Sequence, residues 1–414
     1  MASDYDIVIV GGGMVGASLA VALAGLPLRV AVVEAWPPSS ASQPSYDDRA
    51  TALAEGSRRV FETLGCWQDL APYAAPIRRI HVSDRGRFAF SRLQAADFGV
   101  EALGQVVENR RLGAMLWSVL AASPRIDLLA PVKVLSVDPS SALATVEIEP
   151  AGPDDAGGQP RELRARLVVA ADGARSRTRE MLGMAAQVQD YGQCAVIANV
   201  TASEPGGGDE AYERFTDTGP LAMLPMSQGR YSLVWTVDPS RAADLVAAED
   251  ERFLAELQDA FGYRLGRLER TGERQSYPLQ LTRALDQSLD RLLLVGNAAH
   301  GLHPVAGQGF NLGLRDVAVL ADVLATACAE DQDPGDAAVI DAYLEWRRDD
   351  HQRVIGMTDS LVRLFTNPLG PVKAARALGL LGLDLFAPAK EEFARRSMGL
   401  HGRLPRLARG LPLQ

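Results

Sequence analysis

The stretch YDIVIVGGGMVGASLAVALAG, residues 5–25, holds a short apolar run, a glycine cluster and a second apolar run. The first run predicts a buried parallel strand, and the small residues of the second run predict a buried helix. Gly11, Gly13 and Gly16 have the G-x-G-x-x-G spacing. In that spacing glycine permits the tight turn, the close approach of a pyrophosphate and the close packing of helix on strand. The stretch therefore predicts a Rossmann-like βαβ opening that binds a dinucleotide.

A second strand, LRVAVVE, ends in Glu34, 23 residues after Gly11. A carboxylate at this position accepts hydrogen bonds from a ribose diol. We therefore predict that Glu34 contacts the cofactor, in preference to a surface glutamate that merely ends a strand. The uncharged run from Ile7 to Leu28 is long enough to suggest a membrane span, but acidic residues precede it, and glycines and Pro27 interrupt it. We predict that this run is buried in the protein.

The bulk composition is that of a soluble globular protein, with 47% hydrophobic and 23% charged residues among 414. The net charge of −10 argues against a nucleic-acid partner. Residues 371–414 carry eight Lys/Arg and only three Asp/Glu, so a basic tail follows an acidic body. Cys66, Cys194 and Cys328 are scattered, which predicts a reducing, cytoplasmic location and no cysteine metal site.

Two further glycine motifs follow predicted buried strands. VVAADGARSRTR places Asp172 and Gly173 at a strand end, where parallel sheets bind ligands. VGNAAHGLHPVAGQGFNLGLRD places Gly296 and Asn297 at another strand end, followed by a loop and a helix that begins near Phe310. Bare amides at a helix start stabilise negative charge. We predict that this loop cradles a flat, negatively charged group.

The three motifs, in this order, resemble those of the FAD-dependent aromatic-ring hydroxylases, the group A flavoprotein monooxygenases. In that family a G-x-G-x-x-G turn, a D-G motif and a G-D motif hold FAD, and here the last motif reads Gly296-Asn297. RATALAEGSRRVFETLG and GQVVENRRL resemble further FAD-contacting segments of the family. We predict that the part ATALAEGSRRVFETLG is a helix. The resemblance implies the following FAD contacts: Gly11, Gly13, Met14, Val15, Gly16, Glu34, Arg49, Gln105, Arg110, Asp172, Gly296, Asn297, Pro304, Gly307, Gln308, Gly309, Phe310 and Asn311.

The resemblance narrows to the ubiquinone-biosynthesis hydroxylases, and most closely to their 2-polyprenyl-6-methoxyphenol hydroxylase branch. The glycine loop, RFTDTGPLAMLPM and the segment from Asp359 to Gly399 carry this likeness. The family chemistry implies that NADPH, NADH or another donor reduces FAD, which reacts with O2 to a flavin C4a-hydroperoxide that hydroxylates a polyprenylated phenol. The alternatives are a sister hydroxylase acting at another ring carbon, a flavin prenyl reductase, or a non-catalytic assembly subunit.

His300 and His303 have a spacing that raises the question of a metal site. No cysteine cluster or carboxylate set lies beside them in the sequence, so we predict no metal. Next to the flavin-facing Pro304, His303 is the candidate catalytic residue that polarises the phenol. The alternative, that His303 only forms structural hydrogen bonds, stays open.

The predicted fold is α/β, with a Rossmann-like FAD-binding domain of the glutathione-reductase type that a β-sheet substrate domain interrupts. We assign residues 1–80, 100–182 and 284–336 to the FAD-binding domain, 81–99 and 183–283 to the substrate domain, and 337–414 to a C-terminal helical region. A lipid-tailed phenolic substrate implies a peripheral location at the inner face of a membrane or within a quinone-biosynthesis complex. The basic tail is then expected to contact that membrane or partner, or to cap the FAD-binding domain.

Overall fold

The computed structural model describes residues 3–36, 49–87, 90–151, 159–204, 206–302, 307–366, 378–379, 381–382 and 384–413. The predicted Pro304 and His303 lie outside these residues. The strands of the described part are β1 (Tyr5–Val10), β2 (Val30–Val33), β3 (Ala50–Ala54), β4 (Ala75–Ile77), β5 (Arg79–Asp84), β6 (Phe90–Gln94), β7 (Gly104–Glu108), β8 (Ile126–Leu129), β9 (Val132–Asp138), β10 (Ala144–Pro150), β11 (Arg161–Ala170), β12 (Ala186–Ala202), β13 (Glu210–Thr216), β14 (Gly219–Pro225), β15 (Arg230–Val237), β16 (Leu268–Thr271), β17 (Gln275–Ala284), β18 (Ser288–Leu289), β19 (Leu292–Leu294) and β20 (His300–Gly301). The helices are α1 (Met14–Leu23), α2 (Glu55–Thr63), α3 (Trp67–Leu70), α4 (Asn109–Ala122), α5 (Arg177–Met181), α6 (Pro239–Ala247), α7 (Asp250–Phe261), α8 (Gln308–Ala329), α9 (Ala337–Thr366) and α10 (Ala387–Ser397).

An eight-stranded sheet is built around β1. Its order is β18-β19-β11-β1-β2-β8, and β9 and β10 extend from β11. The strands β19, β11, β1, β2 and β8 run parallel. Ile7 and Ile9 of β1 pack with Leu19 of α1 in one core cluster, while Val8 packs with Val146 of β10 in another. Both faces of β1 are therefore buried, which explains its continuous apolar sequence.

A nine-stranded sheet has the order β20-β17-β12-β15-β14-β13-β5-β6, with β16 paired to β12. Helices α6 and α7 cover one face, where Leu245, Phe253 and Phe261 pack with Leu233 and Trp235. The opposite face lines a cavity. The two sheets with their helices confirm the predicted α/β fold class, in which a β-rich part interrupts a Rossmann-like unit. The exact domain boundaries stay a prediction.

The segment after Arg49 corrects the sequence interpretation. A helix was predicted over ATALAEGSRRVFETLG, but Ala50–Ala54 forms β3, and the helix α2 begins only at Glu55. Strand β3 pairs antiparallel with β7, with Thr51 opposite Val107, and β4 completes this three-stranded sheet. The pairing overrides the helix propensity of the alanines.

The C-terminal region has two different parts. Arg406 donates to both carboxylate oxygens of Asp322 on α8, and Leu407 is buried in the same core cluster as β1. This end of the chain therefore caps α8 and the core that packs on β1. In contrast, Leu378, Leu385 and Phe386 are 66%, 75% and 61% exposed. Among the described residues, no helix combines the length and the apolar character that crossing a bilayer requires.

Candidate active site

A cavity of about 940 Å³ lies between the ends of the parallel strands and the open face of the nine-stranded sheet. Gly13, Asp172 and Gly307, which come from three motifs far apart in the sequence, all line it. The motifs therefore converge on one space. The predicted cofactor residues that line the cavity are Gly11, Gly13, Met14, Val15, Glu34, Arg49, Asp172, Asn297, Gly307, Gln308, Gly309, Phe310 and Asn311.

Four predicted contacts lie away from the cavity lining. A Cβ at Gly16 would lie 1.9 Å from the backbone oxygen of Gly11, so this glycine is needed for packing. Gly296 has a φ of +57° and packs against Val15. Gln105 lies on β7, opposite Leu53 and Pro76, and Arg110 forms an ion pair with Glu108 at 2.7 Å. The structure gives these four residues packing or surface roles and no place on the cavity wall.

The N-terminus of α1 forms an anion cradle. Its N-cap is Gly13, none of the side chains that the structure describes caps it, and its first turn contains no acidic residue. Unpaired amides at a helix start attract anions. Gly11 has a φ of +103°, and a Cβ there would lie 2.8 Å from the backbone oxygen of Ala171. Only glycine allows this close approach of the β1 and β11 ends, so the turn has room for a pyrophosphate.

Glu34 lies at the end of β2 and is buried. Its Oε2 accepts a hydrogen bond from Gly12 N at 2.6 Å, and its Oε1 accepts one from Trp36 N at 2.9 Å. Burial raises the pKa of the Glu34 carboxyl, while these backbone donors lower it. The two amides fix the side chain, and Glu34 also lines the cavity, where a ribose diol can donate to its remaining lone pairs.

Asp172 offers a second acceptor. Its Oδ2 accepts from the backbone N and from Oγ1 of Thr178, both at 3.0 Å. Its Oδ1 is buried and has no hydrogen-bond partner among the described residues. A buried acceptor without a partner is costly unless a ligand supplies the donor. This oxygen therefore fits a hydroxyl group of a bound cofactor.

The N-terminus of α8 lies on the same cavity. Its N-cap is Gly307, which has a φ of +60°, and no side chain in the described part of the chain caps the helix. The Asn311 amide donates to the backbone oxygens of Ala52 and Gly307, and its Oδ1 accepts from Ala54 N and Ser57 Oγ, all within 2.8 Å. The Asn311 side chain therefore has no hydrogen-bonding capacity left. It ties the glycine loop to β3 and α2.

These features fit FAD. The cavity offers two uncapped helix N-termini for negative charge, a carboxylate for a ribose and a buried acceptor without a partner. Asn297, at the third motif, is exposed and lines the cavity. The FAD binding domain profile matches residues 4–358. The chain belongs to this FAD-binding family.

Two relatives are similar to this protein over nearly the whole chain. Ubiquinone hydroxylase UbiL of Rhodospirillum rubrum is 41% identical over 99% of this chain and 93% of its own length. The 3-demethoxyubiquinol 3-hydroxylase of Escherichia coli is 33% identical over 95% of this chain and 98% of its own length. These relatives confirm the family that the sequence motifs predicted.

A solved structure agrees in fold. The p-nitrophenol 4-monooxygenase PnpA of Pseudomonas putida superimposes with a TM-score of 0.78, covering 97% of this chain and all of that one. Its sequence identity is 21%, so the likeness concerns the fold.

A buried cluster of charged side chains lies behind the third motif and holds the backbone of Gly296. Asp316 of α8 is fully buried, and its carboxylate contacts His300 Nε2 at 2.8 Å, His351 Nε2 at 2.7 Å and Arg347 Nε at 2.7 Å. Its Oδ2 also accepts from Gly296 N at 3.2 Å. Although burial alone would raise it, the pKa of Asp316 lies well below the usual value because of the neighbouring imidazoles and guanidinium. We name these four side chains the Asp316 cluster.

The Asp316 cluster was missed in the sequence. His300 was considered for a metal only with His303, yet the fold gives it a carboxylate 16 residues away and a second imidazole 51 residues away. These three side chains, two imidazoles and a carboxylate, lie close enough together to hold a cation. However, the Arg347 guanidinium already supplies positive charge to Asp316. The absence of a metal stays our prediction.

The opposite wall of the cavity includes a row of side chains that crosses the nine-stranded sheet, one from each of six neighbouring strands. Strand pairing places the row in the order Ser91, Val82, Glu213, Ala222, Val234 and Ile197. All six residues line the cavity. Burial raises the pKa of the Glu213 carboxyl to about 7. No sequence motif marks Glu213, and only the sheet register reveals its position.

Proposed function

We propose that this protein is an FAD-dependent monooxygenase that hydroxylates the aromatic ring of a polyprenylated phenol in ubiquinone biosynthesis. The observation that carries the proposal is the single cavity that joins the dinucleotide cradle to an apolar sheet wall. The named functions of the relatives, ubiquinone hydroxylase and 3-demethoxyubiquinol 3-hydroxylase, support the reaction and the substrate class.

Residues from the three glycine motifs and from the end of β2 would hold FAD in the cavity. The amides of α1 would take the pyrophosphate, Glu34 a ribose, Asp172 a hydroxyl of the cofactor arm, and the amides at Gly307–Gly309 the flavin edge. Bound FAD supplies the electron transfer and the activation of O2. The protein orients the ring of the substrate and excludes water, because a dry site strengthens its electrostatic contacts and prevents side reactions.

NADPH or NADH is the proposed reductant, and O2 the proposed co-substrate. The sequence contains one G-x-G-x-x-G motif, at Gly11–Gly16, so the nicotinamide would dock transiently without a Rossmann unit of its own. The His303 assignment stays a prediction, since this residue lies outside the described part of the chain.

Peripheral contact with a membrane is proposed for the exposed apolar side chains Leu378, Leu385 and Phe386, which follow a basic stretch. Replacing all three with Asp tests this contact. We expect a normal flavin spectrum and loss of binding to anionic vesicles. Truncation is a poorer test, because Arg406 and Leu407 anchor the end of the chain to the core.

The function is tested with the FAD-loaded protein, NADPH or NADH, and a short-tailed methoxyphenol. We expect O2 consumption matched by a hydroxylated product. A reduced prenyl chain without O2 uptake would identify a prenyl reductase instead. A protein that takes up no FAD, or whose flavin no reductant bleaches, would fit an assembly subunit.

The branch of the family is tested by metabolite profiling of a strain that lacks the gene. Accumulation of a polyprenyl-methoxyphenol is expected for the proposed branch. Accumulation of a later intermediate would assign the hydroxylation to another ring carbon, and an unchanged quinone profile would contradict the pathway.

A further inference from the structure

Glu213 occupies the middle of the apolar row on the nine-stranded sheet. On β13 it lies opposite Val82 of β5 on one side and opposite Ala222 of β14 on the other, and Val234 of β15 follows. These neighbours are apolar. They and Glu213 are half-buried and line the cavity. The sheet therefore presents one carboxyl group to the cavity from a flat apolar surface.

The Glu213 carboxyl forms no hydrogen bond or ion pair with any side chain that the structure describes. The other acidic groups near the cavity each have partners, since Glu34 accepts two backbone amides, Asp172 accepts two hydrogen bonds from Thr178 through Oδ2, and Glu108 pairs with Arg110 and Arg230. An acid in apolar surroundings without a partner is costly for stability, and such groups cluster at functional sites. A ligand in the cavity is the natural partner.

The surroundings define the ligand group. The apolar row suits the face of an aromatic ring, and a carboxylate within it attracts a neutral hydrogen-bond donor and repels an anion. A phenolic hydroxyl meets both conditions. We propose that Glu213 is a catalytic residue that accepts the hydrogen bond, and then the proton, of the substrate's phenolic hydroxyl. This assignment rests on the proposed function.

The proton step balances without any further reactant. The phenol O–H bond breaks, an O–H bond forms on the Glu213 carboxylate, and the electron pair left on oxygen enriches the ring carbons ortho and para to it. No electrons leave the substrate in this step. The enriched ring is the better nucleophile for the oxygen that FAD and O2 supply under the proposed function.

The ionisation of Glu213 suits this role. Burial brings its pKa to about 7, so the carboxylate is substantially populated near neutral pH. The residues of β5, β14 and β15 that lie in the row with Glu213 are Val82, Ala222 and Val234, and none of them titrates. The other titratable side chains of the cavity are Tyr212 on the same strand and, towards the cofactor motifs, Glu34, Arg49, Lys133, Asp172, Arg175 and Arg177.

The test compares FAD-loaded wild type with Glu213→Gln and Glu213→Asp. The matched control is Glu210→Gln on the same strand, whose carboxylate lies 3.6 Å from Arg79 and does not line the cavity. The flavin spectrum confirms folding. The probe is 2-methoxyphenol, which stays neutral below a pH of roughly 10, as a tyrosine does. Its binding is followed by perturbation of flavin absorbance between pH 5.5 and 8.5.

We expect the Kd of the wild type and of Glu210→Gln to fall as the pH rises through about 7, because the ionised carboxylate is the stronger acceptor. The Glu213→Gln protein should bind about 10-fold more weakly at pH 8.5, without this pH dependence. Its kcat should fall by roughly 10²- to 10⁴-fold, with partial recovery in Glu213→Asp.

An unchanged pH profile of binding in Glu213→Gln, or a wild type that shows no such profile, overturns the assignment. The two proposals fail separately. Product formed equally fast by wild type and Glu213→Gln overturns the role of Glu213 and leaves the hydroxylase function intact. The expected binding profile in a wild type that makes no hydroxylated product overturns the function, while Glu213 remains the phenol acceptor.

Discussion

The two walls of the cavity handle buried charge in opposite ways. Behind the wall that carries the glycine motifs, which we call the cofactor wall, Asp316 is fully buried and satisfied by two imidazoles, a guanidinium and a backbone amide. Its pKa therefore lies well below the usual value. On the sheet wall, Glu213 has apolar neighbours, and its pKa rises to about 7. A paired charge makes the cofactor wall rigid, whereas an unpaired acid leaves the sheet wall reactive.

The difference also sets the sign of the pH response. Asp316, whose folded pKa is lowered, contributes stability above its unfolded pKa near 4, and this stability is lost as the pH falls. The folded pKa of Glu213 is raised, so the folded protein favours the protonated carboxyl. Stability is therefore lost as the pH rises from about 4.5 through about 7. Each wall can therefore be perturbed on its own.

The largest effect is expected from Asp316→Asn on the cofactor wall. The variant removes the buried carboxylate that both imidazoles contact and leaves Arg347 with Asp350 as its remaining acidic partner, so the free energy of unfolding should drop by about 3–5 kcal/mol. FAD affinity should fall too, because Asp316 holds Gly296 N. Denaturant unfolding and flavin titration measure both. The control Asp349→Asn alters an exposed pair with Arg353 and should change stability by less than about 1 kcal/mol. Equal effects of the two variants would contradict the rigid role of the cluster.

A geometric break of the same wall comes from Gly16→Ala. The new Cβ would lie 1.9 Å from Gly11 O, so α1 must move away from β1. We expect a loss of about 3 kcal/mol in stability and poor retention of FAD on a desalting column.

Its counterpart, Gly356→Ala, lies on the exposed face of α9 with no atom within 4 Å of the new Cβ. This change should stabilise the protein by up to about 1 kcal/mol, because alanine is the better helix former. A Gly16→Ala protein that keeps its FAD would show that the turn tolerates more movement than its packing indicates.

The sheet wall is tested by Glu213→Leu. Removing the unpaired acid should raise the free energy of unfolding by about 2 kcal/mol at pH 8. This value is smaller than the full rise in the pKa of Glu213 would give, because water in the cavity reduces the cost of the charge. The gain should shrink towards zero as the pH falls well below 4.5, where the wild-type carboxyl is neutral in both states. Denaturant unfolding at several pH values measures it. A gain that is independent of pH would mean that packing, and not ionisation, distinguishes this wall.

The smallest effect concerns Glu34→Gln. Glutamine can accept from only one of the Gly12 and Trp36 amides through its single oxygen, so FAD should bind about 10-fold more weakly while the fold is retained. Flavin fluorescence titration measures the change. Glu62→Gln, at an exposed ion pair with Arg58, should leave the FAD affinity unchanged. A wild-type affinity in Glu34→Gln would remove this residue from the cofactor site.

The sequence by itself determined the parts of the site that depend on local backbone geometry. The glycine turn at Gly11–Gly16 and the strand end at Asp172 follow from short-range rules, because tight turns and helix starts demand particular residues in a fixed order. The same rules predicted a helix start near Phe310, which the structure places at Gln308. Residues such as Gln105 and Arg110, which were inferred from resemblance alone, were not placed on the cavity wall.

Tertiary structure alone decided which distant side chains meet. Strand pairing moved Ala50–Ala54 from a predicted helix into a sheet, helix packing brought His351 and Arg347 to Asp316, and sheet register set Glu213 in an apolar row. Such contacts carry no local signal, because a pKa or an ion pair depends on neighbours tens to hundreds of residues away. The sequence specified a cofactor cradle, and the fold specified the chemistry of the wall that faces it.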